Sequence, residues 1–179
     1  MRYLMTQTLL SSWAYTFKAF EGYEDEAMED FIKTLKRERI GPNQAMLNGI
    51  AFETQCYSLA YGKQAKVEPK WRDGAEEIAR ILTGARVQVR AAADIKVDDT
   101  DFLLYGILDG LKAGVIYDVK FLNRSMSSAE LAGKYLDSAQ HPAYFRLIPE
   151  AYEFQYLVSD GKDLYIEKYS REATRPIED

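Results

Sequence analysis

One cysteine, Cys56, and one histidine, His141, are the scarcest reactive side chains in this 179-residue sequence. A lone thiol cannot close an internal disulfide, and it leaves neither a four-cysteine zinc site nor a four-cysteine iron–sulfur cluster. A lone imidazole excludes a multi-histidine metal centre. Long apolar runs are also missing, since the longest span only a few residues against the ~20 that a membrane crossing needs. The N-terminus has no basic-then-apolar leader pattern, so the chain is expected in the cytoplasm. Repeats and low-complexity linkers are absent, and the five prolines are scattered. A length close to ~150 residues per domain then predicts a single domain over residues 1–179.

Positive charge is in deficit, with 23 basic against 28 acidic residues and a net charge of −5. That balance argues against nonspecific affinity for nucleic acid through bulk charge, while leaving room for a local basic groove. The abundant carboxylates make any metal site oxygen-ligated, favouring magnesium, manganese or calcium. Apolar residues at 47% supply enough core for a folded domain and exclude disorder.

The first half reads as helical. Glu21, Glu24, Asp25, Glu26, Glu29 and Asp30 precede Lys33, Lys36, Arg37 and Arg39, an order that suits the helix dipole and i,i+4 pairing. Gly41-Pro42-Asn43 breaks the chain, and a second helix is predicted from about Gln44 to Tyr61, stopped by Gly62. A shorter helix fits Ala75 to Leu82. Strands follow at Val87–Val97, Phe102–Asp109 and Val115–Phe121. Ser127 with Glu130 forms a capping-box pattern for a helix to about Gln140, and Phe154–Val158 with Leu164–Tyr169 flank a hairpin turn at Ser159–Lys162. This order predicts an α/β (α+β) fold with a mixed central sheet flanked by helices.

The segment from Tyr105 to Phe121 carries the most chemistry. If Ala113-Gly114 form a two-residue turn, Asp109 faces Asp118, and Ile107 faces Lys120. Leu104, Gly106, Leu108, Tyr117, Val119 and Phe121 then share the opposite, core-facing side. Two facing carboxylates repel unless a divalent cation compensates them, and neutralising Asp118 should then relieve strain in the metal-free protein. Lys120, two residues beyond Asp118, projects to the same face. The bland alternative makes Asp109-Gly110 a turn with both aspartates in water. On the second helix, Met46, Ile50, Glu53, Tyr57 and Ala60 recur at helical spacing, which puts Glu53 in an apolar stripe. Gly49 would let a backbone or ligand approach that face. The alternative places Glu53 at the edge of the stripe, reaching water.

These residues resemble the PD-(D/E)XK nucleases, particularly the RecB-like and phage exonuclease branch. The resemblance runs from Gly49 to Tyr144: a helix with Glu53, a strand ending in Gly106-Ile-Leu-Asp109, a strand with Asp118-Val-Lys120, and a helical region with Gln140 and Tyr144. It implies a restriction-endonuclease-like core and magnesium- or manganese-dependent hydrolysis of DNA in a bacterial or phage-infected cell, in recombination or repair. It also implies that Asp109 and Asp118 are metal ligands with the Val119 carbonyl, and that Glu53 is a further acidic ligand, direct or through water. Lys120 resembles the catalytic lysine. Gln140 and Tyr144 resemble the Q-x-x-x-Y pair that contacts substrate, although Pro142 between them would break or kink an uninterrupted helix.

His141 fits a capping or surface position, and Cys56 a small buried hydrophobe. With no G-x-x-x-x-G-K-[ST] loop in the chain, any helicase, recombinase or annealing protein that works with it must be separate. A ring of copies would make so small a chain processive. Two other readings compete: a catalytically inert nuclease fold that binds DNA or protein, and an acidic structural or inhibitory protein whose Glu21–Asp30 run mimics nucleic acid.

Overall fold

A computed structural model describes residues 2–38, 41–63 and 68–177. The elements run β1 (Arg2–Thr6), α1 (Gln7–Thr16), α2 (Glu24–Leu35), α3 (Gln44–Ala60), a 3-10 turn at Pro69–Trp71, α4 (Arg72–Leu82), β2 (Arg86–Val97), β3 (Thr100–Lys112), β4 (Val115–Phe121), α5 (Ser128–Leu131), α6 (Gln140–Leu147), β5 (Glu153–Ser159) and β6 (Leu164–Ser170). The six strands form one mixed sheet in the order β1-β3-β4-β5-β6, with β2 also paired to β3. This is the mixed sheet flanked by helices that the sequence predicts.

The pairing of β3 creates the feature on which everything else depends. One edge of β3 carries antiparallel β2 along nearly its whole length. Its other edge carries parallel β1 over Asp101–Tyr105 and antiparallel β4 over Gly110–Lys112. Residues 106–109 lie in the gap where those two neighbours part. The β3–β4 register matches the expected turn, with Lys112 opposite Val115 and Gly110 opposite Tyr117. Ala113 and Gly114 both hold positive φ, 49° and 78°, as a two-residue hairpin turn of twisted strands requires. β4 continues parallel to β5, and the β5–β6 hairpin closes the far edge.

Helices cover both faces. On one side α6 packs Ala143, Tyr144, Phe145 and Leu147 against Leu104, Leu108, Ile116, Phe154, Tyr156 and Val158. On the other, Phe52 and Cys56 of α3 and Ile78 and Leu82 of α4 pack against Val115, Tyr117, Val119 and Leu157. The expected single apolar face is therefore corrected: Leu104 and Leu108 face α6, whereas Tyr117 and Val119 face α3 and α4. The cause is a reversal of the pleat. A Cβ on Gly106 would meet Tyr144 and Leu147, while one on Gly110 would meet Leu82 and Tyr117. Between them lies Asp109, and the β2–β3 register passes from Val87–Gly110 to Val89–Leu108 without pairing it to Gln88, whose φ of 52° is unusual for a non-glycine residue inside a strand pair.

Other elements depart from expectation. The N-terminal half is not wholly helical, because β1 precedes α1. Helix α3 begins with the Asn43 side chain accepting from the Met46 N–H and buries Phe52, Gln55 and Cys56. The Met46–Ile50 stripe is not its core face, for both residues are more than half exposed. Gly49 has nothing within 4 Å of a would-be Cβ, so no backbone approaches it. The helix expected from Ser127 to Gln140 stops after Leu131; Ser127 makes no side-chain cap, Glu130 pairs instead with Arg124 at 2.8 Å, and Gly133 takes φ 74°. A separate helix, α6, starts at Gln140. Among the described residues no helix is long and apolar enough to cross a membrane.

Candidate active site

Asp109 lies inside β3, not in a turn, at the point where β3 and β4 separate. The next rung of the ladder would use the Val119 backbone, and here the Asp109 carboxylate accepts the Val119 N–H at 2.9 Å. Since N–H and C=O of one strand residue leave by the same edge, the Val119 carbonyl also faces this fork. Burial, then the charges of Asp118 and Glu53, push the Asp109 carboxyl well above its usual range.

Asp118 is 3% exposed in the middle of β4. Its Oδ1 accepts from Gln140 Nε2 on α6. Its Oδ2 pairs with Lys120 Nζ at 2.7 Å and has no other partner among the described residues. Burial disfavours the Lys120 ammonium, but Asp118 and then Asp109 more than offset it, so its pKa rises. Lys120 is charged at neutral pH. The two aspartates are thus unequal: Asp118 has a cation and an amide, and the strain expected for Asp118 falls on Asp109.

Glu53 reaches the same fork from the α3 face. It takes a short hydrogen bond from Tyr57 Oη, one turn along, at 2.5 Å, and another from Gln88 Nε2 at 2.9 Å. Gln88 Nε2 also lies 3.2 Å from Tyr57 Oη. Burial raises the Glu53 carboxyl, the Tyr57 bond opposes that rise, and Asp118 adds to it. The positive φ of Gln88 thus coincides with both the pleat reversal and the hydrogen bonds that hold Glu53. Sequence reasoning missed Gln88, for nothing in a glutamine between two valines signals a left-handed backbone.

Gln140 and Tyr144 lie on one face of α6, and the expected break at Pro142 does not occur. Pro142 is the third residue of the helix, where a backbone N–H has no partner within the helix. Tyr144 is buried, stands against Gly106 and donates from Oη to the Ile107 carbonyl at 2.8 Å. It therefore pins α6 to the gap in β3. His141 is neither cap nor surface residue: it is 3% exposed, stacked on Tyr169 at 4.2 Å, with Nδ1 3.2 Å from Tyr156 Oη. Cys56 is fully buried, and its thiol is pushed up to about 12 by burial.

The donor set suits a hard divalent cation. It is all oxygen, and the Asp118 and Glu53 carboxylates both act against charge on Asp109. Among the described residues, no three His, Cys, Asp or Glu side chains already converge as a metal cage. The carboxylates are instead held by Lys120, the Val119 N–H, Tyr57 and Gln88.

No family model matches the chain, and no curated protein matches it in sequence. Among solved structures, the crystal structure of SSO0001 aligns with a TM-score of 0.55 at 13% identity, covering 95% of this chain and 68% of that one. At that identity the likeness shows a shared fold alone. Rai1 from Scheffersomyces stipitis aligns with a TM-score of 0.40 at 12% identity, covering 96% of this chain and 54% of that one, too remote to carry an argument.

Proposed function

We propose that the protein is a magnesium- or manganese-dependent nuclease that hydrolyses DNA phosphodiester bonds, in the manner of the PD-(D/E)XK enzymes its motifs resemble. The observation that carries this reading is the fork between β3 and β4, where Asp109, Asp118 and Lys120 meet Glu53 from one helical layer and Gln140 from the other. Asp109 and Asp118, with the Val119 carbonyl and Glu53, would hold the ion. A bound ion there would activate water and neutralise phosphate charge. Lys120 would orient the attacking water or stabilise charge gathering on the phosphate. Gln140 holds Asp118 in place, and Tyr144 fixes the helix that carries Gln140. An exonuclease or processing nuclease of phage or bacterial recombination and repair, acting beside a separate helicase, recombinase or annealing protein, is the biological role this chemistry suits.

The test is digestion of end-labelled linear and covalently closed circular DNA with magnesium, manganese, calcium or chelator. Cleavage to 5′-phosphate products should require magnesium or manganese, with circles spared if ends are needed. Calcium should bind without supporting turnover, as its loose coordination positions water poorly. Lys120→Ala should keep the fold and lose roughly 10²–10³-fold in turnover, the ~3–4 kcal/mol that one preorganised charge can supply. Full activity in chelator, or near-normal turnover of Lys120→Ala, would overturn the reading.

A further inference from the structure

A groove of about 420 Å³ opens where β4 ends, beginning one residue beyond Lys120. It lies at the carboxyl ends of the parallel strands β4 and β5, the place where open α/β sheets receive ligands. Its floor is aromatic. Phe121 stacks on Phe52, the neighbour of Glu53, with ring centroids 4.7 Å apart, and meets Trp71 at 5.0 Å. One wall is tied to the candidate site, for Asn48 of α3 donates to Asn123 Oδ1 at 2.7 Å and so joins the helix of Glu53 to the segment leaving β4.

The charges lining this groove run against the charge of the molecule. The chain carries a net −5, yet Lys70, Arg124 and Lys162 line the groove against one carboxylate, Asp160. Asp160 is turned to the backbone, accepting the N–H groups of Met126, Lys162 and Asp163 at 3.1, 3.0 and 3.0 Å. Arg124 pairs with Glu130. Lys70 and Lys162 are exposed and make no ion pair among the described residues, and Lys70 Nζ stands 5.1 Å from the Trp71 ring centre. Two ammonium groups without an ion pair, on a groove that opens one residue beyond Lys120, are point charges suited to phosphate oxygens.

We propose that this groove is a second nucleic-acid subsite, in which Lys70 and Lys162 hold a backbone phosphate of the strand flanking the phosphodiester presented to Asp109, Asp118 and Lys120. The proposal rests on the nuclease reading and adds the path of the substrate strand. Its test is fluorescence anisotropy of a labelled DNA oligonucleotide in calcium over a series of salt concentrations, for wild type, Lys70→Ala/Lys162→Ala and Lys36→Ala/Lys96→Ala. The last pair removes equal charge from exposed positions elsewhere.

Loss of phosphate contacts lowers the slope of log affinity against log salt by about 0.7–0.9 for each contact. The groove variant should lose about one unit of slope or more and bind several-fold more weakly at moderate salt, with the control pair near wild type. A groove variant with wild-type slope, or a control pair equally weakened, overturns the subsite while the nuclease reading stands. Wild-type protein that neither binds nor cleaves DNA overturns both.

Discussion

Asp109 and Asp118 occupy one fork, yet their surroundings divide the cost of charge unequally. Asp118 has Lys120 at 2.7 Å and the Gln140 amide, whereas Asp109 has one backbone N–H and two carboxylate neighbours. In chelator, Asp109→Asn should therefore be at least as heat-stable as wild type, with a gain of ~0.5–1 kcal/mol from removing repulsion. Asp118→Asn should instead lose ~1–3 kcal/mol, because it removes the counter-charge of a partly buried ammonium. Added magnesium should reverse the first comparison, since wild type gains RT ln(1 + [L]/Kd) while the variant lacks a ligand. Melting curves with and without magnesium decide it, and an Asp109→Asn protein clearly destabilised in chelator would refute the argument. The two-residue turn fixes the β3–β4 register as the sequence predicts, but the ladder ends at Gly110–Tyr117, so Asp109–Asp118 and Ile107–Lys120 are not paired rungs; nor could the sequence show that Gln140 and Lys120 both favour Asp118. Gln88 gives a second residue-level case. Gln88→Gly removes the hydrogen bonds to Glu53 and Tyr57 but relieves the strain of φ 52°, so stability should stay within ~1 kcal/mol of wild type. DNA cleavage should nevertheless fall about tenfold or more, the scale of one hydrogen bond to a charged group. Equal loss of stability and activity would reduce Gln88 to a structural role.

Elements were legible where local patterns decided them. The β3–β4 and β5–β6 hairpins follow from turn residues between apolar runs, and α3 follows from the Gly41-Pro42-Asn43 break and the Gly62 stop. Strand β1 was not legible, for its five residues are mostly exposed and its partner, Asp101–Tyr105, is remote in sequence. The core face of α3 was misread because both the Met46–Ile50 stripe and the Phe52–Cys56 stripe have helical spacing, and only packing against Trp71 and Val119 chooses between them. The docking of α6 depends on a single missing side chain. A Cβ at Gly106 would lie 2.6 Å from Tyr144 Cε1 and 2.8 Å from Leu147 Cδ1, so Gly106→Ala must push α6 from the sheet. Overpacking of this kind costs ~1–3 kcal/mol. It should also move Gln140 relative to Asp118 and lower cleavage more than it lowers metal affinity. Thermal melts, calorimetric manganese titration and a cleavage assay separate these effects; unchanged stability would show that α6 does not rest on that glycine.

Across the whole molecule, the sheet separates two apolar layers, and the candidate site is the gap through which they meet, so stability and site chemistry are linked through buried titratable groups. His141, deep in the α6 layer among Tyr156, Tyr169 and Phe154, is held neutral: burial lowers its pKa from 6.5 to about 4. The folded state therefore binds fewer protons than the unfolded chain between those values. His141 contributes fully to stability above about pH 6.5, and its contribution disappears as pH falls toward 4. Asp109 acts in the opposite sense. Its raised pKa means that the folded state binds more protons than the unfolded chain above the ordinary carboxyl range of 3.8, so its contribution grows as pH falls through that window. Wild type in chelator adds the two and should show a shallow acid dependence, whereas Asp109→Asn should expose the histidine term. We expect Asp109→Asn to lose on the order of 2–3 kcal/mol more stability than Asp109→Asn/His141→Gln on going from pH 7 to pH 4. Urea unfolding of the two variants in chelator across that range measures the difference. Parallel curves would mean that His141 already has its ordinary pKa in the folded protein, and that the aromatic layer around it admits water.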